Sequence, residues 1–148
     1  MNPMDESLEL LEYIYACADM GMKSTEKLLK ILKEKDNKIK KVLESELKEY
    51  ESFYKESDKL LKKNKVEPKT KGLFASLMAD ISMQIEVAKD NSDSKIADLL
   101  IRGMTMGTID IQKRLDHFEG EVNKDIHKLA KSLLKFQEEN IELLKEYL

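Results

Sequence analysis

The chain has no tryptophan, one cysteine, two prolines and five glycines among its 148 residues. A single cysteine, Cys17, excludes an intrachain disulfide. So few prolines and glycines leave little to interrupt long helices. Aromatic residues make up only 6 % of the chain, so the core must be built from Leu, Ile and Met. No stretch approaches the roughly 20 consecutive apolar residues that cross a bilayer. Arginine occurs only at Arg102 and Arg114, and the net charge is −3, which argues against nucleic acid as a partner, since phosphate binding needs a basic surface. The first six residues are acidic and carry no long apolar run, unlike a secretory leader. The expectation is one soluble, cytoplasmic domain over 1–148, long enough for a real core.

What the sequence does have is helical periodicity. Apolar residues recur by threes and fours, as one face of a helix requires. A first helix over about 5–35 carries the seam Leu8, Leu11, Tyr15, Ala18, Met22, Thr25, Leu29 and Leu32. Asp36-Asn37 is a short turn, so a second helix to about 63 forms an antiparallel hairpin with the first. Its seam is Ile39, Leu43, Glu46, Tyr50, Phe53, Ser57 and Leu60. A polar loop over 64–71 precedes a shorter third helix at about 73–89, and residues 91–94 supply a stop and a fresh cap. The fourth helix, about 95–118, has Ala97, Ile101, Met104, Thr108, Ile111, Leu115 and Phe118 on one face, flanked by Gly103 and Gly107. Those glycines either admit a close neighbour or are tolerated. After a turn at 120–123, the fifth helix runs to about 147 with Ile126, Ala130, Leu133, Gln137, Asn140, Leu144 and Leu148.

These elements fold most simply as two antiparallel hairpins. The third helix, at 1.5 Å per residue, carries the chain back about 25 Å between them. That makes the second and fourth helices parallel. The alternative is an up-down bundle with the third helix as an integral fifth member.

In this arrangement polar residues interrupt the seams at one depth. Thr25 lies 11 residues before Asp36, Glu46 lies 10 after it, Met104 lies 11 after Asp93 and Gln137 lies 11 before Leu148. All four fall about 15–17 Å below one end of the bundle. With Glu49, Thr108 and Asn140 nearby, the sequence predicts a polar core layer of Thr25, Glu46, Glu49, Thr108, Gln137 and Asn140 as a possible ligand site. A core carboxylate is costly unless partnered, and Thr25 and Gln137 are the expected partners of Glu46.

Two segments, SKIADLLIRGMTMG at 94–107 and LKFQEENIELLK at 134–145, carry a further likeness. With them the chain resembles ferritin-like four-helix-bundle proteins, in particular uncharacterised bacterial ones of a spore-coat-related type. The resemblance spans most of the chain through helix-seam patterns. It implies an all-α, ferritin-like antiparallel four-helix bundle with a shorter helical crossover, five helices in all. Di-iron members of that superfamily place a Glu on each of two helices and Glu-x-x-His on each of the other two. This chain offers Glu46-x-x-Glu49 and Gln137-x-x-Asn140, with Thr25 and Met104 or Thr108 on the remaining walls. Position 114, three before His117, is Arg, and position 124, three before His127, is Lys. One clear carboxylate cannot hold two iron ions, so the di-iron ligands are expected to be lost and no cofactor is expected.

Other candidates have plain readings beside them. His117 and His127, with Glu121 or Asp125, could form a surface metal site or stand as solvated histidines at a turn. Cys17 could be a redox thiol or a buried, inert one. Met78, Met83, Met104 and Met106 could line an adaptable pocket or fill the core. Lysines at 38–41 and 59–65 could meet an anionic surface, but neighbouring glutamates dilute that field. No phosphate-binding glycine loop or catalytic triad occurs. The sequence therefore predicts a non-catalytic bundle, structural or protein-interacting, with an unknown protein partner or self-association. The alternative is a bundle binding a small ligand or single metal in its polar layer. A di-iron oxidase ranks last.

Overall fold

The computed structural model describes residues 3–67, 83–84, 86–117 and 123–148, with backbone alone at 3–5. The protein is all-helical, and no strand occurs among the described residues. Helix α1 spans Pro3–Ile31, α2 Lys40–Lys63, α3 Asp93–His117 and α4 Lys124–Lys145. Residues 83–84 and 86–89 are helical too, with Val87 fully buried. They belong to the expected crossover helix, of which 73–82 and 85 lie outside the described residues, as do the expected turn at 120–122 and Phe118.

Local chemistry sets the helix ends. Pro3 suits a first helical turn, where its missing N–H costs nothing. Helix α1 ends four residues before the expected boundary, because Lys33 and Lys35 bond to the carbonyls three residues back and tighten the chain into a turn. The far end of α2 is a Schellman motif. Val66 N–H donates to the Leu61 carbonyl and Lys65 N–H to that of Lys62, with Lys65 itself at φ 57°. Ser92 Oγ accepts from Lys95 N–H at 3.2 Å at the start of α3. Asn123 Oδ1 accepts from Asp125 and Ile126 N–H at the start of α4.

Bonds at the two ends of the bundle fix how the helices run. At one end, Asn37 Nδ2 in the α1–α2 turn donates to the Asn91 carbonyl at 2.8 Å and to Asp93 Oδ1 at 2.9 Å. Lys38 N–H donates to Asp93 Oδ2 at 3.1 Å. The carboxylate that opens α3 thus also serves the amides that open α2, where no side chain of α2's own caps the helix. At the other end, Asn123 N–H donates to Ser7 Oγ at 2.8 Å, joining the starts of α1 and α4. So α1 and α4 run one way, α2 and α3 the other. The hairpins α1–α2 and α3–α4 pack most extensively, and α4 also touches α1 and α2.

The seams are largely where periodicity puts them. Ile39, Leu43, Glu46, Tyr50, Phe53 and Ser57 are buried on α2, with Leu61 fully buried and Leu60 only half-buried. On α4, Ile126, Ala130, Leu133, Gln137, Asn140 and Leu144 are buried, but Leu148 stands exposed beyond the helix end. Residues 13–18 of α1 are all buried, so that half of the helix is covered on every side rather than along one stripe. The two glycines of α3 differ. A Cβ at Gly107 would lie 2.8 Å from Gln137 Nε2, so α4 approaches closely there, whereas Gly103 faces open space. Gly21 likewise sits against the ring of Tyr50.

Candidate functional site

The level of Glu46 follows from contacts one turn away. Gly21 of α1 faces Tyr50 of α2, and the Tyr50 ring meets that of Phe136 on α4 edge-on at 5.0 Å. Four residues toward the α1–α2 turn, this register puts Thr25, Glu46 and Asn140 at one depth. Gly107 faces Gln137, so Met104 joins the same level from α3. Thr25, Glu46, Met104 and Asn140 are all buried.

Three expected members of the layer do not belong to it as predicted. Glu49 is exposed: the α2 seam steps from Glu46 to Tyr50, and a residue three on from Glu46 falls on the flank. Thr108 is half-buried, bonds the Thr105 carbonyl of its own helix at 2.8 Å, and lines an outer groove with Ile109, Gln112, Lys113, Leu134 and Glu138. Gln137 is buried but sits one turn lower. Counting back from Leu148 assumes that the helices end flush, and α4 does not end flush with its neighbours.

Among the described residues, neither expected partner, Thr25 or Gln137, bonds Glu46. Gln137 Nε2 instead points to Cys17 Sγ at 3.8 Å, eight residues before Thr25 on α1. Asn140 Nδ2 donates to the Phe136 carbonyl in its own helix at 2.8 Å. Among the described residues, neither carboxyl oxygen of Glu46 has a hydrogen-bond partner, nor does Gln137 Oε1. Glu46 is 1 % exposed. Burial pushes its carboxyl up to about 8, so it is mainly neutral at pH 7. Nearby Tyr50 is raised well above the ordinary tyrosine range, first by burial and then by Cys17 and Glu46.

Cys17 is buried, and burial followed by the charge of Asp110 pushes the thiol up to about 12. It is therefore protonated and a poor nucleophile. Among the described residues no group of three or more His, Cys, Asp or Glu could hold a metal ion. His117 is exposed at the end of α3, His127 is half-buried, and Glu121 lies outside the described residues. Of the methionines, Met104 is core, Met83 half-buried and Met106 exposed; Met78 lies outside the described residues. The lysine-rich end of α2 meets the start of α4 in a groove lined by Lys59, Lys63 and Lys128 but also by Glu56 and Asp125, a mixed field.

Two polar arrangements escape the seam reading. Tyr13 donates to Asp110 Oδ2 at 3.3 Å while the Arg114 guanidinium lies 4.1 Å from its ring centre, joining α1 to α3. Arg114 Nε is buried without a hydrogen-bond partner among the described residues. Burial, foremost, raises Tyr13 far above its ordinary range. Tyr15 and Tyr54 also pair across the α1–α2 hairpin, their hydroxyl oxygens 2.9 Å apart. No helix among the described residues is long and apolar enough to cross a membrane. Compared with protein-family models, curated proteins and solved structures, the chain matches none.

Proposed function

We propose that this chain is a cytoplasmic, ferritin-like bundle with a non-catalytic role, structural or in binding another protein or its own copies. The observation that supports this reading best is the isolation of Glu46. It is the only carboxylate of the predicted layer that is buried, and its oxygens meet no His, Asp, Glu or Lys of the described residues. A lone, largely neutral carboxyl is ill suited to hold two metal ions or to orient a substrate. The ferritin-like arrangement is supported by the helix directions, α1 and α4 one way and α2 and α3 the other, which call for an end-to-end crossover between α2 and α3. An interaction role is supported by Met106 and Ile109, 73 % and 51 % exposed on α3.

A second reading has one observation in its favour. Among the described residues nothing bonds the oxygens of Glu46 or Gln137 Oε1, which leaves acceptors inside the bundle. A small ligand carrying N–H or O–H groups, or a single metal ion, would satisfy them. Loading the purified chain with Fe(II) and with Mn(II), followed by elemental analysis, separates the readings. The proposal expects no stoichiometric metal. One metal per chain, lost in Glu46→Gln, would favour the binding bundle, and two would restore the di-iron reading.

A further inference from the structure

Tyr15 and Tyr54 lie outside the Glu46 level, on the α1–α2 hairpin. Their ring centroids are 4.8 Å apart, the planes are tilted by 33°, and the hydroxyl oxygens approach to 2.9 Å. The two tilted rings lie close with their hydroxyl ends together, so the ring carbons beside the two hydroxyls are near neighbours. Tyr15 is 9 % exposed and Tyr54 half-buried, so the pair stands at the edge of the core, within reach of a small molecule.

The surroundings repeat on both helices. Tyr15, Asp19 and Lys23 lie four apart along α1, and Tyr54, Asp58 and Lys62 lie four apart along α2. Each Asp pairs with its Lys at 3.0 Å. Because the helices are antiparallel, the two sets run in opposite directions from the tyrosine pair. Both carboxylates act on Tyr15 through their charge. Negative charge beside a phenol favours removal of an electron from the ring, and a carboxylate offers a place for the proton that leaves with it. Tyr13 also meets a carboxylate, Asp110, but the Arg114 guanidinium lies over its ring, and the ring of Tyr50 meets Phe136.

We propose that Tyr15 and Tyr54 form a modification site, at which a peroxide-derived one-electron oxidant couples the two rings into an intrachain dityrosine linking α1 to α2. Each phenol gives one electron to the oxidant and its hydroxyl proton to a carboxylate or water. The two phenoxyl radicals join through the ring carbons beside their oxygens. Each of those carbons then loses its hydrogen as a proton and each oxygen regains one, which restores both aromatic rings. The net change is the loss of two electrons and two protons, and one hydrogen peroxide accepts them and becomes two waters. The bridge closes the hairpin covalently and leaves both hydroxyls in place.

The test treats the dilute full chain with hydrogen peroxide and a small haem peptide, then reads intact mass, dityrosine fluorescence and a peptide map. The expected product is a monomer lighter by two hydrogens, with one link joining the peptides that contain Tyr15 and Tyr54. Tyr15→Phe and Tyr54→Phe abolish the link, and Tyr147→Phe keeps it. The yield falls several-fold when wild-type chain is oxidised in strong urea, because the pairing is then lost. That control needs no variant to fold. A link that persists in Tyr54→Phe, an equal yield in urea, or coupling mainly into dimers through Tyr147 overturns the proposal.

Discussion

Gln137 turns its amide nitrogen toward Cys17, 3.8 Å from the sulfur, and among the described residues nothing bonds the carboxyl of Glu46. These two buried polar side chains are one turn apart in depth and serve different neighbours. The core is therefore interrupted by separate polar groups rather than by one connected network, and an unconnected buried carboxyl carries an energetic cost.

That cost makes stability depend on pH. The folded-state carboxyl of Glu46 sits at about 8 against an ordinary value of 4.5. The stability tied to this group is full below about 4.5 and is lost as pH rises through about 8. The difference corresponds to an upper limit of about 5 kcal/mol, which penetration of water reduces. Urea unfolding at a series of pH values should show the midpoint falling between those limits, and Glu46→Gln should flatten that fall.

Replacing the carboxyl by an apolar group of similar size should help the fold. Glu46→Leu is predicted to stabilise the chain at pH 8 by roughly 1–4 kcal/mol, since nothing in the described core loses a hydrogen bond. Chemical denaturation of both proteins in one buffer measures the difference. A loss of stability would mean that the carboxyl has a partner.

The glycines should divide by their surroundings. Gly21→Ala drives a methyl group into the Tyr50 ring and should cost about 1–3 kcal/mol. Gly103→Ala meets open space on an exposed helix face and should stabilise by about 0.5–1 kcal/mol. Thermal melts of the two variants should move in opposite directions.

Lys65 holds the left-handed position of the Schellman motif, which a side chain enters at a cost. Lys65→Gly should raise stability by roughly 1 kcal/mol, read from the urea midpoint, with the helical circular dichroism signal unchanged.

Asp93 joins three partners at one end of the bundle: the Asn37 amide and the backbone N–H groups of Lys38 and Ile39. Asp93→Ala should cost about 1–2 kcal/mol, the range of a strong helix cap. Hydrogen exchange at the start of α2 should quicken although the substitution lies in α3. That remote effect distinguishes the shared carboxylate from an ordinary cap.

Much of the fold was legible because it rests on local rules. The spacing of Leu43, Glu46, Tyr50 and Phe53, the short turn at Asp36-Asn37 and the cap at Ser92 each act over a few residues, and each stands where periodicity and turn chemistry put it. The polar layer was legible only in part. Thr25, Glu46, Gln137 and Asn140 are indeed buried, since a seam position reads from spacing. Their relative depth depends on how far each helix overshoots the next, and no local rule sets that for α4. Glu49 and Thr108 stand at the margins of their helix faces, where spacing alone does not separate the core from the flank. The shared cap of Asp93 and the Tyr15–Tyr54 pair join residues 55 and 39 positions apart in sequence, and only the folded chain brings them together.

The most direct measurement is the titration of the Glu46 side-chain carboxyl carbon by NMR, in chain labelled at glutamate, with and without added Mn(II) or Zn(II). A midpoint near 8, unmoved by either ion, is the predicted result: a lone carboxyl held neutral by burial. A midpoint at or below 4.5, or a resonance shifted or broadened by stoichiometric metal, would contradict it and make Glu46 a partnered ligand.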